Sequence, residues 1–138
     1  MNSHSTETLV EKAINARGNA YCPYSGFAVG AALLCEDGEV FTGVNVENAS
    51  FPVGLCAERS AVSAAVASGK RRFTAIAIVG GKVGENITKP CSPCGMCRQF
   101  LSELCSDDFK VILAVSRDNY KTLTLSELLP HRFDKNLL

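Results

Sequence analysis

Histidine is almost absent from this sequence. His4, in a polar N-terminal stretch, and His131, just behind Pro130, are the only two, and both read as solvated surface. A charge surplus is absent as well: 14 Lys and Arg against 14 Asp and Glu give a formal net charge of zero. With no long basic run, a nucleic-acid backbone is excluded as the principal partner, since phosphate binding needs clustered Lys and Arg. The densest basic stretch, Lys70-Arg71-Arg72, follows a helical pattern and reads as a complement to that helix's C-terminal dipole. No apolar stretch approaches membrane-spanning length, and Met1 to Thr8 has no apolar signal core, so no membrane partner is expected. Seven cysteines cannot pair completely. They fit a reduced, cytoplasmic protein in which cysteines serve as ligands or as small core residues. Repeats, low-complexity tracts and linkers are also missing, so residues 1–138 read as one domain, large enough to bury a core without disulfides.

What is present begins with an alternation of helical and strand patterns. Leu9, Val10, Ala13, Ile14 and Ala16 follow a helical period behind a cap at Ser5 or Thr6. Gly18 to Gly26, with Pro23 and two tyrosines, reads as a loop. Phe27 to Cys35 reads as a buried strand, Glu36-Asp37-Gly38-Glu39 as a hairpin turn, and Val40 to Val46 as the returning strand. An alanine-rich helix runs from about Cys56 to Ser68 and stops at Gly69. Phe73 to Val79 is a strand followed by a Gly-, Lys- and Asn-rich loop. Pro93 to Cys105 is a helix, Val111 to Val115 a strand, Thr122 to Leu125 a last strand, and Ser126 begins a short helix. The alternation predicts an α/β sandwich whose sheet opens with an antiparallel hairpin and continues through crossovers.

Three of the cysteines sit three apart in Cys91-Ser92-Pro93-Cys94-Gly95-Met96-Cys97, and a fourth opens Cys56-Ala57-Glu58-Arg59. Two CxxC pairs overlap here, and helix chemistry separates them. Ser92 suits an N-cap and Pro93 the first helical position, which places Cys94 and Cys97 on one face of the first turn. The positive end of the helix dipole favours thiolates at that point, whereas Cys91 falls ahead of the cap. Cys56 begins its own helix and completes a set of three: Cys56, Cys94 and Cys97. A structural zinc site takes four protein ligands, and a catalytic one leaves a position open. Three thiolates on Zn²⁺ carry a net charge of −1, and Arg59, one turn beyond Cys56, is placed to offset it. Glu58 is too close to Cys56 to be an ordinary fourth ligand. It can face the open position and shuttle protons.

Cys56-Ala57-Glu58 with Pro93-Cys94-Gly95-Met96-Cys97-Arg98-Gln99 resembles the signature of the cytidine deaminases, in the short, homotetrameric, three-cysteine form. The resemblance extends through Phe27-Ala28-Val29-Gly30-Ala31-Ala32-Leu33 and Asn45-Val46-Glu47-Asn48, and weakly to Leu128-Leu129-Pro130 and Phe133. It implies a three-layer α-β-α sandwich on a mixed sheet of about five strands and one Zn²⁺ per subunit. The implied reaction is hydrolytic deamination of cytidine and 2′-deoxycytidine to the uridines, a step of pyrimidine salvage. Glu58 is then the group that protonates N3 and the leaving amine. The Ala57 backbone contacts the base, Asn45 and Glu47 hold the ribose 3′-hydroxyl, and Phe27, which alone reads as strand core, packs beside the substrate. Ala49, Phe51 and Phe133 lie in segments that family members contribute to a neighbouring subunit's pocket. Phe51 departs from the tyrosine common at its position. A carboxylate at the sugar accepts from a hydroxyl and repels a phosphate, so a nucleoside is favoured over a nucleotide.

Two other readings compete. A deaminase of a cytosine-containing antibiotic such as blasticidin S shares the zinc signature but lacks the blocks around Phe27, Asn45 and Glu47. A non-catalytic zinc-stabilised binding domain needs Cys22, Cys35, Cys91 or Cys105 to close a four-thiolate shell.

Overall fold

The structure is a computed structural model that describes residues 5–138, so His4 lies outside the described residues. The chain runs α1 (Thr6–Arg17), β1 (Phe27–Cys35), β2 (Val40–Val44), a 3-10 turn (Phe51–Val53), α2 (Ala57–Ala67), β3 (Phe73–Lys82), α3 (Gly95–Leu104), β4 (Lys110–Ser116), β5 (Asn119–Thr124) and α4 (Leu125–Leu128), then a second 3-10 turn (Lys135–Leu137). The five strands form one mixed sheet in the order β2-β1-β3-β4-β5. The β1–β2 and β4–β5 hairpins are antiparallel, β1 is antiparallel to β3, and β3 is parallel to β4. Helix α2 carries the chain from β2 over β1 to β3, and α3 carries it from β3 to β4. Both are crossovers, as the alternation predicts.

The period-2 geometry of the strands divides the core into two layers. Ala31, Leu33, Ile76, Ile78, Val111 and Leu113 face α2 and α3, where they meet Ala61, Val62, Ala65 and Leu101. The alternate residues Ala32, Leu34, Ala75, Ala77, Val79 and Ile112 face α1 and meet Leu9, Val10 and Ala13. The result is the expected three-layer α-β-α sandwich. Helix α2 lies unusually close to the sheet because position 43 is glycine: a Cβ there would stand 2.4 Å from the Ala61 nitrogen and 2.5 Å from the Ala57 carbonyl. That close approach sets the height of the α2 N-terminus above the sheet.

Several boundaries differ from the sequence reading. Ser5 caps α1, and its side chain accepts from the Thr8 amide, but Ile14 and Ala16 do not join the buried stripe of Leu9, Val10 and Ala13. Strand β3 continues through Gly80, Gly81 and Lys82, which pair with Val29, Ala28 and Phe27. Two glycines look like a loop in isolation, but β1 supplies the ladder partners. Strand β5 starts at Asn119, three residues before the predicted Thr122, because a turn at Arg117 and Asp118 returns the chain directly onto β4. It ends at Thr124, which caps α4 in a reciprocal box with Glu127, and so Leu125 is helical. Of the basic trio, Arg71 does donate to the Val66 carbonyl near the end of α2 (3.0 Å), whereas Lys70 turns to Asp37 and Glu39 on the hairpin turn.

Candidate active site

Helices α2 and α3 point their N-termini at one place. The N-cap of α2 is Cys56, in extended conformation, and neither it nor the cap of α3 uses its side chain to satisfy the first turn. The cap of α3 is Cys94, not Ser92 as the sequence suggested. Gly95 takes the first helical position instead of Pro93, and Cys97 the third. Ser92 and Pro93 have the right propensities, but the Cys94 carbonyl receives the Arg98 amide (3.0 Å), and so the helix begins two residues later. Cys91 lies ahead of the cap as expected, but Cys94 is itself the cap, so that only Cys97 falls within the first turn.

The sulfurs of Cys56, Cys94 and Cys97 all lie within 4.8 Å of one another, and no fourth His, Cys, Asp or Glu ligand atom joins that cluster among the described residues. Cys97 is buried, Cys56 half-buried and Cys94 exposed, so the cluster opens on one side. The Cys97 thiol, and after it the Arg59 guanidinium, hold the Cys56 thiol down at about 5, while the proton shared with Cys56 and burial push Cys97 up. Arg59 Nη2 reaches Cys56 Sγ at 3.8 Å and the Gly54 carbonyl at 3.4 Å, and Arg59 Nε is buried with no hydrogen-bond partner. A guanidinium so desolvated calls for concentrated negative charge beside it. Three closely spaced cysteine sulfurs at two helix N-termini would supply it when they ligate a metal ion. The donor set and the arginine fit a soft divalent cation with tetrahedral preference, and Zn²⁺ meets that description.

Glu58 is the only buried charged residue among the described residues, at 4% exposure. Burial pushes its carboxyl above the ordinary value, and the charge on Cys56 adds to the effect. A cavity of about 420 Å³, of a size that suits a small ligand, is lined by Asn45, Glu47, Ala57, Glu58, Cys56 and Cys94, with Arg59 and Phe51 at its edges. Cys91 also lines it, and burial pushes that thiol up to about 11, which keeps it protonated. Gly80 makes room for this wall: a Cβ there would meet Cys91 Sγ at 2.9 Å and Phe27 Cε1 at 3.1 Å.

The remaining predicted residues fall into two groups. Asn45 is clamped against β1, donating to the Phe27 carbonyl (2.8 Å) and accepting from the Val29 amide (2.9 Å). Glu47 accepts from the Tyr24 and Ser25 amides, both at 3.0 Å, and from the Ser25 hydroxyl, and these donors hold its carboxyl below the ordinary value. Phe27, Asn45 and Glu47 are thus brought into one hydrogen-bonded unit. Ala49, Phe51 and Phe133 are exposed, Phe51 at 75% and Phe133 at 61%; Phe51 stands edge-on to Tyr24 at the cavity mouth, and Ala49 and Phe133 do not line the cavity.

Sequence reasoning passed over Ser25, whose signal was the Ser-Gly pair just before a strand, a pattern of local side-chain-to-backbone turns. It also left Arg98 and Gln99 without a job. Arg98 donates to the Pro93 and Leu128 carbonyls, both at 2.8 Å, and Gln99 to the Phe133 carbonyl at 2.9 Å, so the cysteine loop and the C-terminal segment are tied to the same helix.

Comparison with known proteins gives the same picture. Residues 3–113 match the model of the family described as cytidine and deoxycytidylate deaminase zinc-binding region. A cytidine deaminase of Halalkalibacterium halodurans is 46% identical over 127 residues, covering 92% of this chain and 92% of its own length. The crystal structure of a cytidine deaminase from Burkholderia pseudomallei superposes with a TM-score of 0.85 at 44% identity, covering 94% of this chain and 100% of the other. A blasticidin-S deaminase of Bacillus cereus is 33% identical over 111 residues, covering 78% of each chain. With the zinc-binding region matched over most of its length, this chain belongs to the cytidine deaminase family.

Proposed function

We propose that the protein catalyses hydrolytic deamination of cytidine and 2′-deoxycytidine to uridine and 2′-deoxyuridine, releasing ammonia, as a step of pyrimidine salvage. The observation that carries the reading is a buried carboxylate, Glu58, next in the chain but one to a member of a three-sulfur cluster on a ligand-sized cavity. Cys56, Cys94 and Cys97 hold one zinc per subunit, and Arg59 offsets the charge of the thiolates. Zinc held there supplies Lewis acidity, which makes water a competent nucleophile near neutral pH. Glu58 would take up the proton that water gives up and pass it to N3 of the base as C4 is attacked, then take the second proton from the hydroxyl now on C4 and deliver it to the amine that leaves. The Ala57 backbone, at the first position of α2, orients the base. Asn45 and Glu47 bind the sugar, with Phe27 packed beside it. Glu47 carries a negative charge where a phosphate would otherwise sit, which selects a nucleoside.

The chain functions as one domain, in a cytoplasmic homotetramer. Exposed Phe51 and Phe133, with Ala49, complete the pocket of a neighbouring subunit; their exposure in the single chain supports this reading. An ultraviolet assay of zinc-replete protein against cytidine, 2′-deoxycytidine, CMP and blasticidin S tests the proposal. Turnover of the two nucleosides, with CMP and blasticidin S poor or inert, is expected. Turnover of blasticidin S alone would move the protein to the antibiotic-directed class, and inertness toward all four would favour a binding domain.

A further inference from the structure

The deaminase reading leaves a question about the sugar end of the cavity: what makes one glutamate there accept a single hydroxyl in a fixed direction. Glu47 lines both the main cavity and an adjoining one of about 410 Å³, so its carboxylate stands at a boundary where it could rotate toward either. It is not free to do so. Oε1 accepts the amides of Tyr24 and Ser25, each at 3.0 Å, and Oε2 accepts the Ser25 hydroxyl. Each carboxylate oxygen offers two lone pairs, so Oε1 is filled and Oε2 retains one acceptor position. The Ser25 hydroxyl is itself oriented, because its oxygen already accepts the Phe27 amide at 3.0 Å and its proton is left to point at Glu47. Ser25 is fixed in turn from the other side: Lys82 Nζ donates to its carbonyl at 3.2 Å, and the Val83 amide donates to the Gly26 carbonyl at 2.8 Å.

Resting on the deaminase reading, we infer that Ser25 is the positioning residue for sugar recognition, locking the Glu47 carboxylate so that one Oε2 lone pair remains for a single substrate hydroxyl. The same hydroxyl joins Glu47 to Phe27, and Asn45 joins Phe27 and Val29 from the opposite side. Ser25 lines the adjoining cavity and not the main one, so it acts on the sugar through Glu47. Loss of the Ser25 hydroxyl removes the partner that fixes Oε2 and weakens ground-state binding of the sugar without touching the reacting atoms.

The test uses zinc-replete full-length protein, with kcat and KM measured for cytidine and 3′-deoxycytidine in wild type, Ser25→Ala, Ser25→Thr, Glu47→Gln and the Ser25→Ala/Glu47→Gln double variant. Ser25→Ala is expected to raise KM for cytidine by about tenfold, the effect of one misdirected hydrogen bond to a charged group. Its kcat, and its KM for 3′-deoxycytidine, are expected to stay within about twofold of wild type, because only uniform binding of the hydroxyl is lost. Ser25→Thr keeps the donor and should restore the discrimination between the two nucleosides. In the double variant, Ser25→Ala should add less than about twofold to the effect of Glu47→Gln, as for two residues acting through one contact. An equal loss for both nucleosides would show a merely structural role and overturn the proposal. So would an unchanged KM for cytidine, failure of Ser25→Thr to restore discrimination, or additivity in the double variant. Wild type inert toward cytidine would instead overturn the deaminase reading together with this one.

Discussion

Glu58 is a carboxylate at 4% exposure beside Cys56 and Cys97, an arrangement that costs several kcal/mol of desolvation when the group is charged. A residue retained there for stability alone would be better replaced by its neutral amide. Glu58→Gln should therefore fold with a melting temperature equal to or above wild type, keep its zinc, and lose turnover by about a thousandfold, the scale of a missing general acid–base group. A folded, zinc-loaded Glu58→Gln with wild-type turnover would remove Glu58 from the chemistry. The cysteines separate just as sharply. Cys91 borders the cavity yet stays outside the 4.8 Å cluster, so Cys91→Ser should retain zinc by metal analysis, whereas Cys94→Ser and Cys97→Ser should lose it. The opposite pattern would shift the ligand register by three residues. At this scale the sequence was informative, since spacing and helix polarity single out the same three cysteines that the fold gathers. The Ser25–Glu47 link was invisible there, because two residues 22 apart in a loop and a strand end leave no periodic trace.

Among the elements, α2 carries most of the site, and its position depends on Gly43. Any side chain at that point collides with the α2 backbone near Ala57 and Ala61. Gly43→Ala should cost about 1–3 kcal/mol, as overpacking does, and lower zinc affinity along with the melting temperature, because the helix that bears Cys56 and Glu58 is what moves. Chemical denaturation and metal titration of the same preparation check both. The Tyr24–Phe27 loop offers a test by pH. Glu47 has its carboxyl held below the ordinary value of 4.5 by the Ser25 hydroxyl first and the Ser25 and Tyr24 amides next. A depressed folded-state pKa means stability that is complete above the unfolded value and is lost as pH falls through the folded one. The melting-temperature gap between wild type and Glu47→Gln should then narrow on acidification from about pH 5 to about 3, and a constant gap would contradict the assignment. The element boundaries that sequence reading misplaced share a cause. Ser92 and Pro93 satisfy local preferences for a helix start, and Gly80-Gly81 those for a loop, but Arg98 and β1 supply hydrogen-bond partners that outweigh them.

For the whole molecule, five strands with two crossovers bring two helix N-termini together, which is what turns distant cysteines into a cluster. The α/β architecture was readable because apolar runs buried on both faces alternate along the chain with helical patterns, whereas the strand order was not. The expectation that other copies complete the surface comes only from the family resemblance: Phe51, Val53, Met96 and Phe133 are exposed apolar side chains with no periodic signal to say what covers them. If neighbouring subunits share pockets, a chain ended at Arg132 should lose turnover by about tenfold or more while retaining zinc, because it forfeits apolar contact and not the reacting groups. Gel filtration coupled to the assay decides it, and a fully active monomer would refute the sharing. The central claim, that an open three-thiolate zinc site and Glu58 deaminate a nucleoside, is tested most directly by one paired experiment. Cytidine turnover is followed by ultraviolet absorbance in wild type and Glu58→Gln, each with its zinc content measured in the same sample. The account predicts one zinc per chain in both and turnover in wild type alone; zinc-loaded wild type that leaves cytidine unchanged would contradict it.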